Sequence, residues 1–260
     1  MSLKLWYAFE RSMSMDVDFK KGKPMGLGID WDHDGHVSTG DYMIYFTSDL
    51  HLGHTSILHL QNRPFADIEE MNDAIIHNIN DRARADDQLY ILGDISHRVP
   101  AETANALIRR IHCRKYLILG NHDVAGSPPQ CIYDTSLFQW VGNYLQMNVD
   151  GLELVMMHYP MLSWPKTTSG SVMLHGHIHS RPEYNEENHK AGIRRYDVGV
   201  DANDYRPVSF DEIREWAEST PVSLQSRKNL YIPGVWQPEP ITEEQFHAEH
   251  PDLGDRRSDI

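Results

Sequence analysis

With 260 residues, 40% of them hydrophobic and 24% charged, the chain is long enough for one α/β domain with a full core and short appendages; its usage excludes global disorder and a coiled coil. The net charge of −14 argues against coating a nucleic-acid backbone and favours a small phosphorylated substrate, whose charge bound divalent cations offset. No apolar run reaches the ~18 residues of a membrane span, Glu10, Arg11 and Asp16 break any secretory segment, and Cys113 and Cys131 are too few for a disulfide framework, so the expectation is a cytoplasmic protein without membrane contact.

Residues 1–42 show no sustained period and read as an extension preceding the catalytic fold. Within them Asp30, Asp32, Asp34 and Asp41, with Gly35 at the turn, match an EF-hand loop in which Asp replaces the final Glu. Neither flank reads as a helix, so this stretch is either a calcium loop or an Asp-rich turn. From Tyr42 the run YMIYFTSD predicts a buried strand entering a loop. Next, Ile68, Met71, Ile75, Ile76 and Ile79 stand at helical spacing behind Asp67 and Glu70, which are placed as a capping box. QLYILGD predicts a second strand, ETANALIRRIH a helix after Pro100, and KYLILGNHD a third strand. This alternation implies parallel pairing. YLQMNVDGLELVMMHYP reads as a hairpin about Asp150-Gly151. SVMLHGHIHS and RRYDVGVD add strands, and Ser209 with Glu212 caps a helix over about 210–218. The fold class is α/β with mixed sheets, the catalytic domain spans 43–219, and the proline-bearing, charged stretch 220–260 is a tail.

Five clusters follow predicted strand ends: Asp49-Leu50-His51, Gly93-Asp94, Gly120-Asn121-His122-Asp123, His158, and Gly176-His177-Ile178-His179. Ligands of open α/β sheets bind beyond the carboxyl ends of strands, so sequence-distant clusters converge on one site. Asp49 with His51, and His177 with His179, sit two apart and in an extended segment point to one side. Carboxylate, imidazole and amide oxygen form a mixed ligand set that suits manganese, iron or zinc better than calcium or copper(I), with manganese the first choice.

In this order the five motifs resemble the signature of the calcineurin-like metallophosphoesterases. The resemblance covers about 44–200 and implies a sandwich of two mixed β-sheets flanked by helices, a four-layer fold with metals at the sheet ends. It implies a metal-dependent phosphoester hydrolase in which Asp49, His51 and His179 bind one divalent transition metal and Asn121, His158 and His177 a second. Asp94 bridges both, and a metal-bound hydroxide attacks phosphorus. By the same resemblance His122 is the general acid or a phosphoryl donor, with Asn121 also facing substrate, and Asp123 positions the loop or His122 rather than binding metal. Phosphoprotein phosphatases of the family continue the GD motif with an Asp-Arg pair. Here His97-Arg98 stands in that place, which resembles the nuclease and phosphodiesterase branches; the main expectation is a phosphodiesterase or nucleotide phosphohydrolase, the alternative a nuclease on short or single-stranded nucleic acid, and Arg98 is either a phosphate clamp or a surface residue. His54 reaches substrate phosphate or packs at a helix start. NRPF (62–65) and GVDANDYRPVS (199–209) resemble a small bacterial and phage subgroup of single-domain members. A non-catalytic metal-binding scaffold is the reading from another class, and an intact His122 weighs against it.

Overall fold

The structure, a computed structural model, describes residues 42–220 together with the strand His36–Val37. In chain order the elements are β1 (His36–Val37), β2 (Ile44–Thr47), α1 (Ile57–Leu60), α2 (Ile68–Arg82), β3 (Gln88–Ile91), α3 (Ala101–Arg109), β4 (Arg114–Ile118), β5 (Val124–Ala125), β6 (Gln130–Cys131), β7 (Trp140–Gly142), β8 (Leu145–Val149), β9 (Leu152–Met156), β10 (Val172–His175), α4 (Pro182–Ala191), β11 (Arg195–Asp197), β12 (Val208–Ser209) and α5 (Phe210–Ser219). The remaining residues of the extension, including Asp30, Asp32, Asp34 and Asp41, and the tail 221–260 lie outside the described residues.

Two five-stranded mixed sheets organise the domain: sheet I in the order β12-β2-β3-β4-β7 and sheet II in the order β1-β8-β9-β10-β11. In sheet I, β2, β3, β4 and β7 run parallel and only β12 is antiparallel to β2. Sheet II holds the hairpin β8–β9 about Asp150-Gly151, with β9, β10 and β11 parallel. Gly151, at φ 86°, supplies the left-handed turn residue.

Alternation along the strands sorts side chains between two apolar layers. Ile44, Phe46, Tyr90, Leu92, Tyr116 and Ile118 of sheet I meet Met147, Val149, Leu154, Met156, Val172 and Leu174 of sheet II, and Phe210, Ile213 and Ala217 of α5 join the same core. The opposite face of sheet I offers Tyr45, Leu89, Ile91 and Leu117 to Met71, Ile75, Ile76 and Ile79 of α2 and to Ala104 and Ile108 of α3. The outer face of sheet II carries a smaller cluster of Val155, Trp164 and Met173.

Local signals explain where the helices begin. The Asp67 side chain accepts from Glu70 N at 2.8 Å, and Glu70 reaches back to Ala66 N. Ser209 and Glu212 form a full capping box at α5. Truncating a fully buried α2 residue such as Ile75 costs about 2–5 kcal/mol.

Helix α4 displays no apolar period. Pro182 starts it, Gly192 ends it in the left-handed region, and its buried residues are Asn185 and Asn188. Asn185 donates to Asp197 O and accepts from Asp197 N, and Asn188 donates to Arg195 O. The helix thus satisfies the free edge of β11 with amide side chains. Among the described residues no helix is long and apolar enough to cross a membrane.

Candidate metal centre

Strand register sets the site. Thr47 pairs with Ile91 and Ile91 with Leu117, so β2, β3 and β4 end level and release Asp49, Asp94 and Asn121 side by side. The loops after β2 and β3 then zip together through Asp49 N to Gly93 O (3.0 Å), His51 N to Asp94 O (3.1 Å) and Leu52 N to Ile95 O (2.8 Å). In sheet II Leu174 pairs with Met156 and His175 with Asp197, which brings His158 and His177 to the same rim. Val200 N donates to Ser48 O at 3.1 Å and joins the rims of the two sheets.

The DxH and HxH segments are not extended, as their spacing suggested. Asp49, His51, Asp94, His177 and His179 all have φ between 46° and 71°, in the left-handed region that non-glycine residues rarely adopt. Such conformations persist where the surroundings over-determine them, and they concentrate at functional sites. The surroundings here are tight: a Cβ at Gly176 would collide with Ser48 Oγ and Asp49 Oδ2, and one at Gly120 with Asp94 Oδ1.

Two groups of three ligand-type side chains result: Asp49, His51 and His179, and Asp94, His158 and His177, each with donor atoms within 4.8 Å of one another. Each group takes members from both sheets. Asp94 Oδ2 lies 3.9 Å from His51 Nε2 of the first group and 3.5 Å from His158 Nε2 of the second. Its other oxygen accepts from His122 N at 2.9 Å, which leaves Oδ2 aimed between the groups. Asn121 Oδ1 stands 3.1 Å from His158 Nε2, adding an amide oxygen to the second group.

The electrostatics fit divalent cations. Asp49 Oδ1 and His51 Nε2 are buried without a hydrogen-bond partner, a costly state for polar atoms that a cation between them relieves. Burial raises the Asp49 carboxyl to about 7, and burial with the neighbouring His179 lowers His51 to about 2, so His51 is neutral and its lone pair available. Around His158 burial opposes protonation, but the bond to Asp94 and the charges of Asp49 and Asp94 outweigh it and raise the imidazole to about 9. This nest of oxygens calls for positive charge, and a metal ion supplies it without a proton. Asp94 is held down at about 2, burial being outweighed by His158 and by His122 N.

A second set of residues aims the ligands. His158 Nδ1–H donates to Leu92 O at 2.7 Å and His179 Nδ1–H to Asp201 Oδ2 at 2.7 Å, turning both Nε2 atoms inward. Asp201 in turn receives Arg63 through two bonds of 2.8 Å, and Arg63 also donates to Asp49 O (2.8 Å) and Leu50 O (3.0 Å). The segments around 62–65 and 199–209 therefore meet as a buried ion pair behind the first group. Asp123, fully buried, accepts from Asp94 N, Ile95 N, Gly120 N and Tyr133 Oη–H. It braces the Asp94 loop rather than His122. Arg63, Asp201 and Tyr133 carry no motif of their own; only the unassigned segment resemblance touched two of them.

The remaining candidates lie beside the two groups. His54 Nδ1 is 3.3 Å from His51 Nδ1, so the buried His54 orients a candidate ligand. His97 lies against the His122 ring at a centroid distance of 3.7 Å and meets His54 edge-on at 4.8 Å. Arg98 is exposed, at φ 57°. His122 Nε2 is 3.9 Å from Asp94 Oδ2, with its side chain about a third exposed.

Residues 42–245 match the calcineurin-like phosphoesterase family. The chain belongs to that family. An uncharacterized protein of Methanocaldococcus jannaschii is 32% identical over 173 residues, covering 65% of this chain and 88% of that protein. The gene 66 protein of Mycobacterium phage L5 is 31% identical over 197 residues, covering 65% of this chain and 91% of the phage protein. A solved Aquifex aeolicus protein of unknown function shares the fold at a TM-score of 0.53 and 24% identity, covering 67% of this chain and 99% of that one. Membership implies metal-dependent phosphoester hydrolysis, and the two ligand groups are the residues that would hold a dinuclear centre.

Proposed function

We propose that this calcineurin-like phosphoesterase is a manganese-supported phosphodiesterase or nucleotide phosphohydrolase of the cytoplasm rather than a phosphoprotein phosphatase. The observation that carries the reading is Asp94 Oδ2, poised at 3.9 and 3.5 Å between two histidine nitrogens of separate ligand groups while its other oxygen is fixed by His122 N. Cations bound there neutralise phosphoryl oxygens and acidify water at neutral pH.

The chain's own groups do the rest. His122 Nε2, 3.9 Å from Asp94 Oδ2 and with its side chain about a third exposed, is placed to protonate a leaving oxygen. Where phosphoprotein phosphatases of this family use an Asp to orient that histidine, this chain uses the flat His97 ring, which fixes the imidazole plane by contact. The exposed Arg98 guanidinium has the fork geometry to take two phosphoryl oxygens. A net charge of −14 disfavours long nucleic acids and leaves small esters as the better substrates.

A screen with manganese present tests this: monoesters against diesters, then cyclic nucleotides, dinucleotides, short single-stranded oligonucleotides and a phosphopeptide. The expected result is turnover of small diesters or nucleotides. Preferential cleavage of oligonucleotides would make it a nuclease, preference for the phosphopeptide would reverse the reading, and no turnover by metal-loaded protein would leave a metal-binding scaffold.

A further inference from the structure

Five large hydrophobic side chains are exposed among the described residues, and two of them flank candidate ligands directly: Tyr159, 40% exposed, follows His158, and Ile178, 41% exposed, sits between His177 and His179. A third, Leu162, lies three residues beyond Tyr159. The Tyr159 ring meets His158 edge-on at 5.0 Å and His177 at 4.6 Å, so two imidazoles of the second group fix its plane while much of it stays uncovered. The rest of the rim differs in kind. His54, His97 and His122 form a chain of touching imidazoles with the Arg98 cation beside them; His54 and His122 meet His51 of the first group, whereas Tyr159 meets His158 and His177 of the second. One part of the rim is suited to phosphoryl oxygens and the other to an apolar planar group.

Resting on the hydrolase reading, we infer that the exposed Tyr159 ring is the subsite for the organic part of the substrate and selects a nucleoside, its base stacking on the phenol ring. A base has a π-face whatever its identity, so a single fixed aromatic ring binds it without hydrogen-bond readout. The phosphate beside the cations and the base on Tyr159 then define a nucleotide or nucleoside diester rather than an alkyl phosphate.

Calorimetry on the manganese-loaded full chain tests the subsite without requiring turnover. Wild type should bind a nucleoside monophosphate about tenfold more tightly than inorganic phosphate. Tyr159→Ala should erase that preference while retaining phosphate affinity and metal content, and Tyr159→Phe should keep it. Equal affinity of wild type for the two ligands, or binding of neither, overturns the inference. So does a Tyr159→Ala protein that loses metal and both ligands alike, because Tyr159 would then only prop His177. If the preference holds and follows Tyr159 while no phosphoester is hydrolysed, the subsite stands and the hydrolase reading falls.

Discussion

Replacing Asp201 by Asn removes one charge from a buried pair while keeping the volume. Arg63 has a fully buried side chain, Asp201 is 10% exposed, and two 2.8 Å bonds join them. The Asp201 carboxyl is held below its usual range, burial being outweighed by bonds to His179 and Arg63, so it is ionised at neutral pH. Taking one partner from such a pair leaves a buried guanidinium uncompensated, at about 3–5 kcal/mol. For a domain of this size each kcal/mol lowers Tm by roughly 2–4 °C, which gives a loss of about 6–20 °C in the metal-free protein. Because Asp201 also holds His179 Nδ1–H, manganese should bind the Asp49, His51 and His179 group about 10–100-fold more weakly. Differential scanning calorimetry and a manganese titration read the two effects separately. Arg63→Met combined with Asp201→Leu removes both charges and should recover most of the stability but none of the metal affinity. A single variant that melts within about 2 °C of wild type with unchanged affinity would refute the assigned role of the pair.

Asp94→Asn should lower metal content and turnover together, as measured by elemental analysis and initial rates; normal activity would mean that the bridge lies elsewhere. His122→Ala should retain metal but lower kcat by about 10²–10⁴-fold for esters with basic leaving groups, while sparing nitrophenyl esters, whose departing oxygen needs no proton. An equal loss across leaving groups of graded pKa would make His122 an electrostatic clamp instead. Burial raises Asp49 to about 7, and the bond to Asp201 raises His179 of the same group despite its burial, so protons compete with cations there as pH falls: affinity at this group declines through and below about 7, by about tenfold per pH unit for each proton displaced. Manganese titrations between pH 8 and 5 should show that slope, and a flat profile would contradict it.

The parallel core of sheet I and the β8–β9 hairpin were legible because β2, β3, β4 and β9 are apolar runs closed by turn residues, and α2 and α5 announce themselves by capping and period. Helix α4 was not legible, since its buried face is built from asparagines that bind a strand edge. Asp49, His51, Asp94, His158, His177 and His179 stood out through short local motifs, and the structure gathers them into two groups. Arg63 and Asp201 lie 138 positions apart, and nothing local in either segment signals a partner. The backbone at Asp49 and His51 is not extended, as their spacing had suggested: a pair of left-handed residues held by the neighbouring loop turns both side chains inward, a tertiary effect with no imprint on periodicity.

Each ligand group draws on both sheets, and the ligand-bearing strands of the two sheets occupy different stretches of the chain. Strands β2, β3, β4 and β7 are complete by Gly142, whereas His158, His177 and His179 arrive only with the second sheet. During synthesis the first half therefore offers Asp49, His51 and Asp94 but no finished coordination sphere, and the growing chain cannot trap a cation in its final cage until His179 has emerged and the sheets have closed on each other. A dinuclear centre at these residues can therefore be completed only after both sheets are made. A dinuclear centre held by the two groups would rivet the two halves of the sandwich at one rim, so shearing or opening the sheets during unfolding would break coordination bonds at the same moment as the apolar seam.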